Sequence, residues 1–150
     1  MEKSIVSFEE SLNQTFRLSE KDWKMYSPLT LAYIGDAAYE LIIRTIFVKQ
    51  ANCQPQKLHQ KVTSLVSAKA QAKMIESLLP VLTEEEAAIY RRGRNSKPYT
   101  KAKNASMTEY LEATGFEAVM GYLYLQREYH RMNELVLLGL EETRKGKNEI

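Results

Sequence analysis

Apolar residues in this chain recur at helical spacing, and no stretch alternates regularly between apolar and polar. The pattern predicts an all-α fold. The strongest stretch is LTLAYIGDAAYELIIRTIF, Leu29 to Phe47. Ser27 and Pro28 precede it as a favoured N-cap and a favoured first helical residue. The apolar pattern continues to about Lys49, a helix about 33 Å long at 1.5 Å per residue. It is apolar on more than one face, which suits the centre of a bundle or a dimer interface. Residues 1–26 are mixed and polar, with anchors at Ile5, Phe8, Leu12, Phe16 and Leu18. A short helix is expected around Ser7–Phe16, with Trp23 and Tyr26 clamping this extension onto the core.

After a turn at Asn52–Gln56, a helix is expected to about Ser64, with Leu58, Val62 and Leu65 inward. Lys57 and Lys61 share its outer face. The next helix runs from about Ala68 to Leu79, with Met74, Ile75 and Leu78 inside and Lys69 and Lys73 outside. Pro80 ends it. Thr83 and Glu86 form a capping-box signature for a helix to about Arg92. GRNSKPYTKAKNAS, residues 93–106, has no apolar periodicity and reads as a long, functional basic loop. A short segment around Met107–Glu112, a helix over about Thr114–Arg127 and a last helix over about Arg131–Arg144 complete the chain. Residues 146–150 are expected to fray.

A length of 150 residues fits one core. Neither a signal peptide nor an apolar run of membrane-spanning length is visible, and the single Cys53 forms no internal disulfide. A cytoplasmic protein is expected. Charge changes the picture more than composition does. The formal net charge is only +2, yet residues 41–75 hold six Lys/Arg and no acid, and residues 87–108 hold six more and no acid. Four glutamates separate the two blocks within residues 76–86. Such segregation suggests a polyanion partner, nucleic acid first, against the plainer reading of solvated helix faces.

The main helix also contains two unfavourable choices at its middle. Gly35 costs about 1 kcal/mol relative to Ala in a helix interior, and Asp36 places a carboxylate among apolar residues. Glu40 follows at i+4, on the same face. TGFEAVMGYLYLQ, residues 114–126, repeats this chemistry with Glu117 and Gly121. Glu117 is expected in the first turn of its helix, where the dipole favours negative charge. Two such helices could bring oxygen ligands together for Mg²⁺, which takes one or two carboxylates, waters and substrate phosphate. The plainer reading is a pair of buried salt bridges, for example with Arg44 or Arg127. Cys53 lacks a setting for nucleophilic catalysis, His59 and His130 are isolated, and there is no Gly-rich phosphate loop.

LAYIGDAAYELIIR resembles the signature helix of the ribonuclease III family, FEAVMGYLYL its second motif, and VSAKAQAKMI the segment between them. RRGRNSK, residues 91–97, resembles the basic loop of the short bacterial branch, Mini-ribonuclease III. The resemblance covers roughly residues 27–140. It implies a helical homodimer that cuts double-stranded RNA with Mg²⁺. Full-length members add a C-terminal RNA-binding domain, for which this chain has no room. The short branch matures the 5′ and 3′ ends of 23S ribosomal RNA, assisted by a ribosomal protein. Three acidic positions of the full-length enzymes are here Leu29, Ala32 and Thr114, leaving Asp36 and Glu117 as the implied metal carboxylates.

The expected domain organisation is an extension over 1–26, a catalytic domain over 27–145 and the tail. The expected site is Asp36 and Glu117 on the metal, with Glu40 orienting water or a neighbouring side chain. Lys57, Lys61, Lys69, Lys73, Arg91, Arg92, Arg94, Lys97, Lys101 and Lys103 are the expected RNA-binding surface. Two alternatives remain at this point. One is a non-catalytic RNA-binding or ribosome-assembly factor of the same fold. The other is a helical adaptor for an acidic protein.

Overall fold

A computed structural model describes residues 7–96 and 106–148. Among them the chain forms seven α-helices: α1 (Phe8–Phe16), α2 (Pro28–Gln50), α3 (Pro55–Val66), α4 (Ala68–Leu78), α5 (Glu84–Arg94), α6 (Met107–Leu125) and α7 (Tyr129–Asn148). Single 3₁₀ turns lie at Trp23–Met25 and Leu79–Val81. The expected all-α fold is what forms. No helix among the described residues is long and apolar enough to cross a membrane.

The helix starts follow the sequence signals. Ser27 Oγ accepts from the Thr30 amide at 3.1 Å, with Pro28 in the first turn. Thr83 and Glu86 form a reciprocal capping box. Ser7 caps α1 in the same way through the Glu10 amide. Trp23 docks edge-on against Tyr122, with ring centroids 5.0 Å apart, and so ties the extension to the core as expected.

Helix α6 is the centre of the bundle and packs against α2, α4, α5 and α7. The largest fully buried side chains include Tyr39 and Ile43 from α2, Met74, Ile75 and Leu78 from α4, Ile89 from α5, Phe116 and Met120 from α6, and Leu135 from α7. Tyr39 meets Phe116 edge to face at 5.0 Å, and its hydroxyl donates to the Leu65 carbonyl at 2.8 Å. A buried Tyr with its hydroxyl satisfied keeps its apolar area at no hydrogen-bond cost.

Three expectations need correcting. First, α6 is one unbroken helix from Met107, not a short segment followed by a helix from Thr114. Ser106 and Glu109 form a second capping box that starts it. Gly115, within this helix, lies against the Tyr90 ring where α5 packs on α6. Second, Gly93 and Arg94 belong to the last turn of α5 rather than to a loop. Residues 97–105, with Lys97, Lys101 and Lys103, lie outside the described residues. Third, α7 begins at Tyr129 and runs to Asn148, through most of the tail expected to fray. It starts early because Arg127 takes a left-handed conformation, φ 59°, and turns the chain sharply after α6. The Glu128 amide then donates to the Leu123 carbonyl at 2.9 Å, closing a helix-terminating turn.

Arg127 also anchors the extension. Its guanidinium pairs with Glu9 at 2.7 Å and with Glu10 and Glu20. Glu9 is buried, so this contact fixes α1 against the α6–α7 turn.

Candidate active site

The site is set by how closely α2 and α6 cross. A β-carbon on Gly35 would lie 2.6 Å from the Gly121 nitrogen and closer still to the Glu117 carbonyl oxygen. A β-carbon on Gly121 would lie 2.8 Å from the Leu31 carbonyl carbon and closer still to its oxygen. Only glycine at both positions permits this separation. The two helices touch backbone to backbone, and the register at the crossing sets Asp36 beside Glu117.

Asp36 is exposed, whereas Glu117 is largely buried. Burial pushes the Glu117 carboxyl up to about 9, with the facing Asp36 carboxyl adding to the rise through a hydrogen bond and its charge. Gln71 acts in the opposite direction. It is fully buried on α4 and donates from Nε2 to Glu117 Oε2 at 3.3 Å and to the Val66 carbonyl at 2.9 Å. Its Oε1 has no partner among the described residues.

No cation among the described residues pairs with Glu117. Both arginines considered from sequence are engaged elsewhere. Arg44 pairs with Glu40 at 2.6 Å on the surface, one turn along α2, and Arg127 holds the extension. The buried-salt-bridge reading of Asp36 and Glu117 therefore fails. Glu40 stands with Arg44 rather than as a third member of the carboxylate pair. One local expectation also fails: Glu117 sits in the middle of α6, not in its first turn, so no helix dipole holds its charge. Ala32 and Thr114, which stand where full-length enzymes carry acids, are buried, and the Thr114 hydroxyl donates to the Tyr110 carbonyl at 2.9 Å.

Two adjacent carboxyls, one partly buried and one open to solvent, form an oxygen-ligand pair suited to a hard divalent cation. Such an ion offsets both the burial of the Glu117 carboxyl and its repulsion by Asp36. The donor chemistry therefore fits Mg²⁺.

The described basic residues lie outside the crossing. Lys57 and Lys61 are exposed on α3, Lys69 and Lys73 on α4, and Arg91, Arg92 and Arg94 in the last turn of α5. None forms an ion pair with a described residue. Arg94 stacks over the Tyr90 ring at 5.7 Å, and Lys61 lies 6.0 Å from the Phe47 centroid.

Sequence reasoning missed Gln71. It falls at i−4 and i−7 from Ile75 and Leu78, on the inward stripe of α4. A polar residue at a core position was the available signal.

The fold is an all-helical bundle with a facing carboxyl pair at its α2–α6 crossing, and comparison with known proteins makes the class definite. Residues 29–128 match the family model described as the ribonuclease III domain. A Mini-ribonuclease 3 of Enterococcus faecalis is 48% identical over 118 residues, covering 77% of this chain and 89% of that protein. One from Thermoanaerobacter sp. is 43% identical over 141 residues, covering 94% and 97%. A crystal structure of a Fusobacterium nucleatum protein superposes with a TM-score of 0.72 at 31% identity, covering 77% of this chain and 94% of that one. The chain belongs to the ribonuclease III family, in its Mini-ribonuclease III branch, and is an endoribonuclease.

Proposed function

We propose that this chain is a Mg²⁺-dependent endonuclease of double-stranded RNA, acting in the cytoplasm on the 5′ and 3′ ends of the 23S ribosomal RNA precursor. The observation that carries the reading is the Asp36–Glu117 pair, two facing carboxyls with no cation among the described residues to compensate them. Asp36 and Glu117 would hold the ion. When bound, it supplies electrostatic stabilisation of the scissile phosphate and makes water more acidic. Exposed Asp36 presents its carboxylate toward substrate, while Glu117 is anchored by the core around α6. Glu40 acts one step removed, orienting water or a neighbouring side chain such as Arg44, with which it pairs.

Binding rests on phosphate contacts and A-form shape, because side chains cannot read the deep major groove of RNA. Lys57, Lys61, Lys69, Lys73, Arg91, Arg92 and Arg94 supply those contacts, with Lys97, Lys101 and Lys103 from outside the described residues. A homodimer places two sites on one duplex. It is supported by the outward side of α2, where Tyr33 is 82% exposed and Leu41 61%. An apolar groove of about 630 Å³ adjoins it, lined by Phe8, Leu41, Ile42 and Tyr129 among others. A ribosomal protein that presents or bends the precursor fits the same scheme, as the resemblance implies.

The test is a long RNA duplex incubated with Mg²⁺ and with EDTA, beside single-stranded RNA and duplex DNA. Cleavage of the RNA duplex alone, and only with Mg²⁺, is expected. An intact duplex under all conditions overturns the reading.

A further inference from the structure

Gln71 is the most expensive polar group in the core that the proposed chemistry leaves without a task. It is 1% exposed, and its α4 neighbours Ala72, Met74, Ile75 and Leu78 are buried and apolar. Leaving a buried acceptor unpaired costs about 1–3 kcal/mol, so a Met or Leu here would make a better core. Capping α3 explains part of the choice, because the Val66 carbonyl is one of the α3 carbonyls with no partner within that helix. It accounts for one N–H and leaves the second N–H and Oε1 unexplained.

The orientation of the amide follows from its surroundings. Nε2 faces two acceptors, the Val66 carbonyl and Glu117 Oε2. Rotating the amide by half a turn would set Oε1 against the Val66 carbonyl oxygen, which has no proton to share, so Nε2 belongs where it is. That leaves Oε1 as a buried, unpartnered acceptor on the same amide that touches Glu117. Residues that orient a metal's ligands do so through hydrogen bonds to those ligands. A buried polar group without a protein partner is commonly satisfied by an ordered water.

We propose that Gln71 is a positioning residue of the cation site: its Nε2–H holds the Glu117 carboxylate in place, and its Oε1 accepts from a water in the outer hydration of the bound ion. This rests on the reading of Asp36 and Glu117 as that site. The polar residue on the α4 core stripe is thereby explained by function rather than by stability.

Gln71→Met keeps the volume and removes both hydrogen bonds. The full-length variant is expected to unfold cooperatively and to bind duplex RNA in EDTA as the unsubstituted protein does. The Mg²⁺ concentration for half-maximal cleavage should rise about tenfold or more. The rate at saturating Mg²⁺ should recover most of its original value, a split that a general packing defect would not produce. An independent readout uses the unsubstituted protein: the Gln71 side-chain amide resonance should shift on addition of Mg²⁺ alone. A folded Gln71→Met with unchanged half-saturation overturns the proposal. So does a Gln71 resonance that stays fixed while Asp36 and Glu117 signals move, and this measurement decides the matter if the variant does not fold. If the unsubstituted protein binds no Mg²⁺ and needs none, the proposed site itself fails. If it binds Mg²⁺ and cleaves while Gln71→Met is indistinguishable from it, only the role of Gln71 fails.

Discussion

Gly35→Ala isolates the contact that creates the site. On an isolated helix the change would stabilise by about 1 kcal/mol. Here the new β-carbon meets the Gly121 nitrogen at 2.6 Å and the Glu117 carbonyl closer still, both backbone atoms of the central helix. Non-bonded atoms settle near 3.5 Å, so relieving the contact with the Glu117 carbonyl requires α2 and α6 to move apart by about 1.5 Å. Overpacking a core typically costs about 1–3 kcal/mol, and rigid backbone on the far side places this site at the upper end. After the helix-propensity gain, a net loss of about 2 kcal/mol is expected. For a chain of this size that lowers Tm by roughly 4–8 °C. Gly139→Ala is the control, because its β-carbon would meet only the movable Met74 Cε at 2.6 Å. It should cost clearly less. Thermal unfolding by circular dichroism reads both. A Gly35→Ala protein as stable as the original, or more so, would refute the backbone-to-backbone crossing.

Three further outcomes follow from the ionic groups. The Glu117 carboxyl is raised from 4.5 to about 9 in the folded protein, so folding takes up a proton between those values. In EDTA, stability should fall as pH rises from about 4.5 to about 9, with a slope of at most about 1.4 kcal/mol per pH unit. Glu117→Gln should flatten the profile, which unfolding midpoints measured across pH will show. Arg131 pairs with buried Glu86 at 2.8 Å and donates to the Val81 carbonyl. Burial alone would raise the Glu86 carboxyl, but Arg131 and Thr83 outweigh it and hold it below its usual range. Arg131→Met should therefore destabilise by about 3 kcal/mol at neutral pH in urea titrations. The penalty should shrink as pH falls below the usual carboxylate range, and adding Glu86→Gln should recover part of it. RNA affinity should fall about 10³–10⁵-fold between 50 and 200 mM salt if 6–10 phosphates are contacted. Removing any one of Lys57, Lys61, Lys69 or Lys73 should lower the salt slope by about 1, as read by filter binding.

Much of this architecture was legible before any coordinates, because it depends on local chemistry. Ser27-Pro28 and Thr83–Glu86 announce their helices through capping groups within one turn. Gly35, Asp36, Glu117 and Gly121 stood out because each is locally unfavourable where it stands. Such conflicts between local preference and global pattern collect at functional sites. What escaped reading depends on distant partners. The role of Gly115 is visible only once Tyr90 is seen packed on it. Starting the helix at Thr114 also misplaced Glu117 in a first turn and credited it with a dipole it does not have. Arg127 in a left-handed turn has no residue-type signature, since glycine is the usual occupant. Gln71 looks like one more polar residue on a basic helix until its amide is found between Val66 and Glu117. The basic surface was legible as charge but not as shape, because helical spacing pairs Lys57 with Lys61 and Lys69 with Lys73 but does not say how α3, α4 and α5 lie together.

The central claim is that Asp36 and Glu117, joined by the α2–α6 crossing, form the site where RNA is cut. Its most direct test is Mg²⁺-dependent cleavage of a long RNA duplex by Asp36→Asn, with folding and duplex binding in EDTA measured on the same sample. A protein that folds and binds RNA normally but no longer cleaves is the predicted result. Asp36→Asn that cleaves at the original rate would contradict the account.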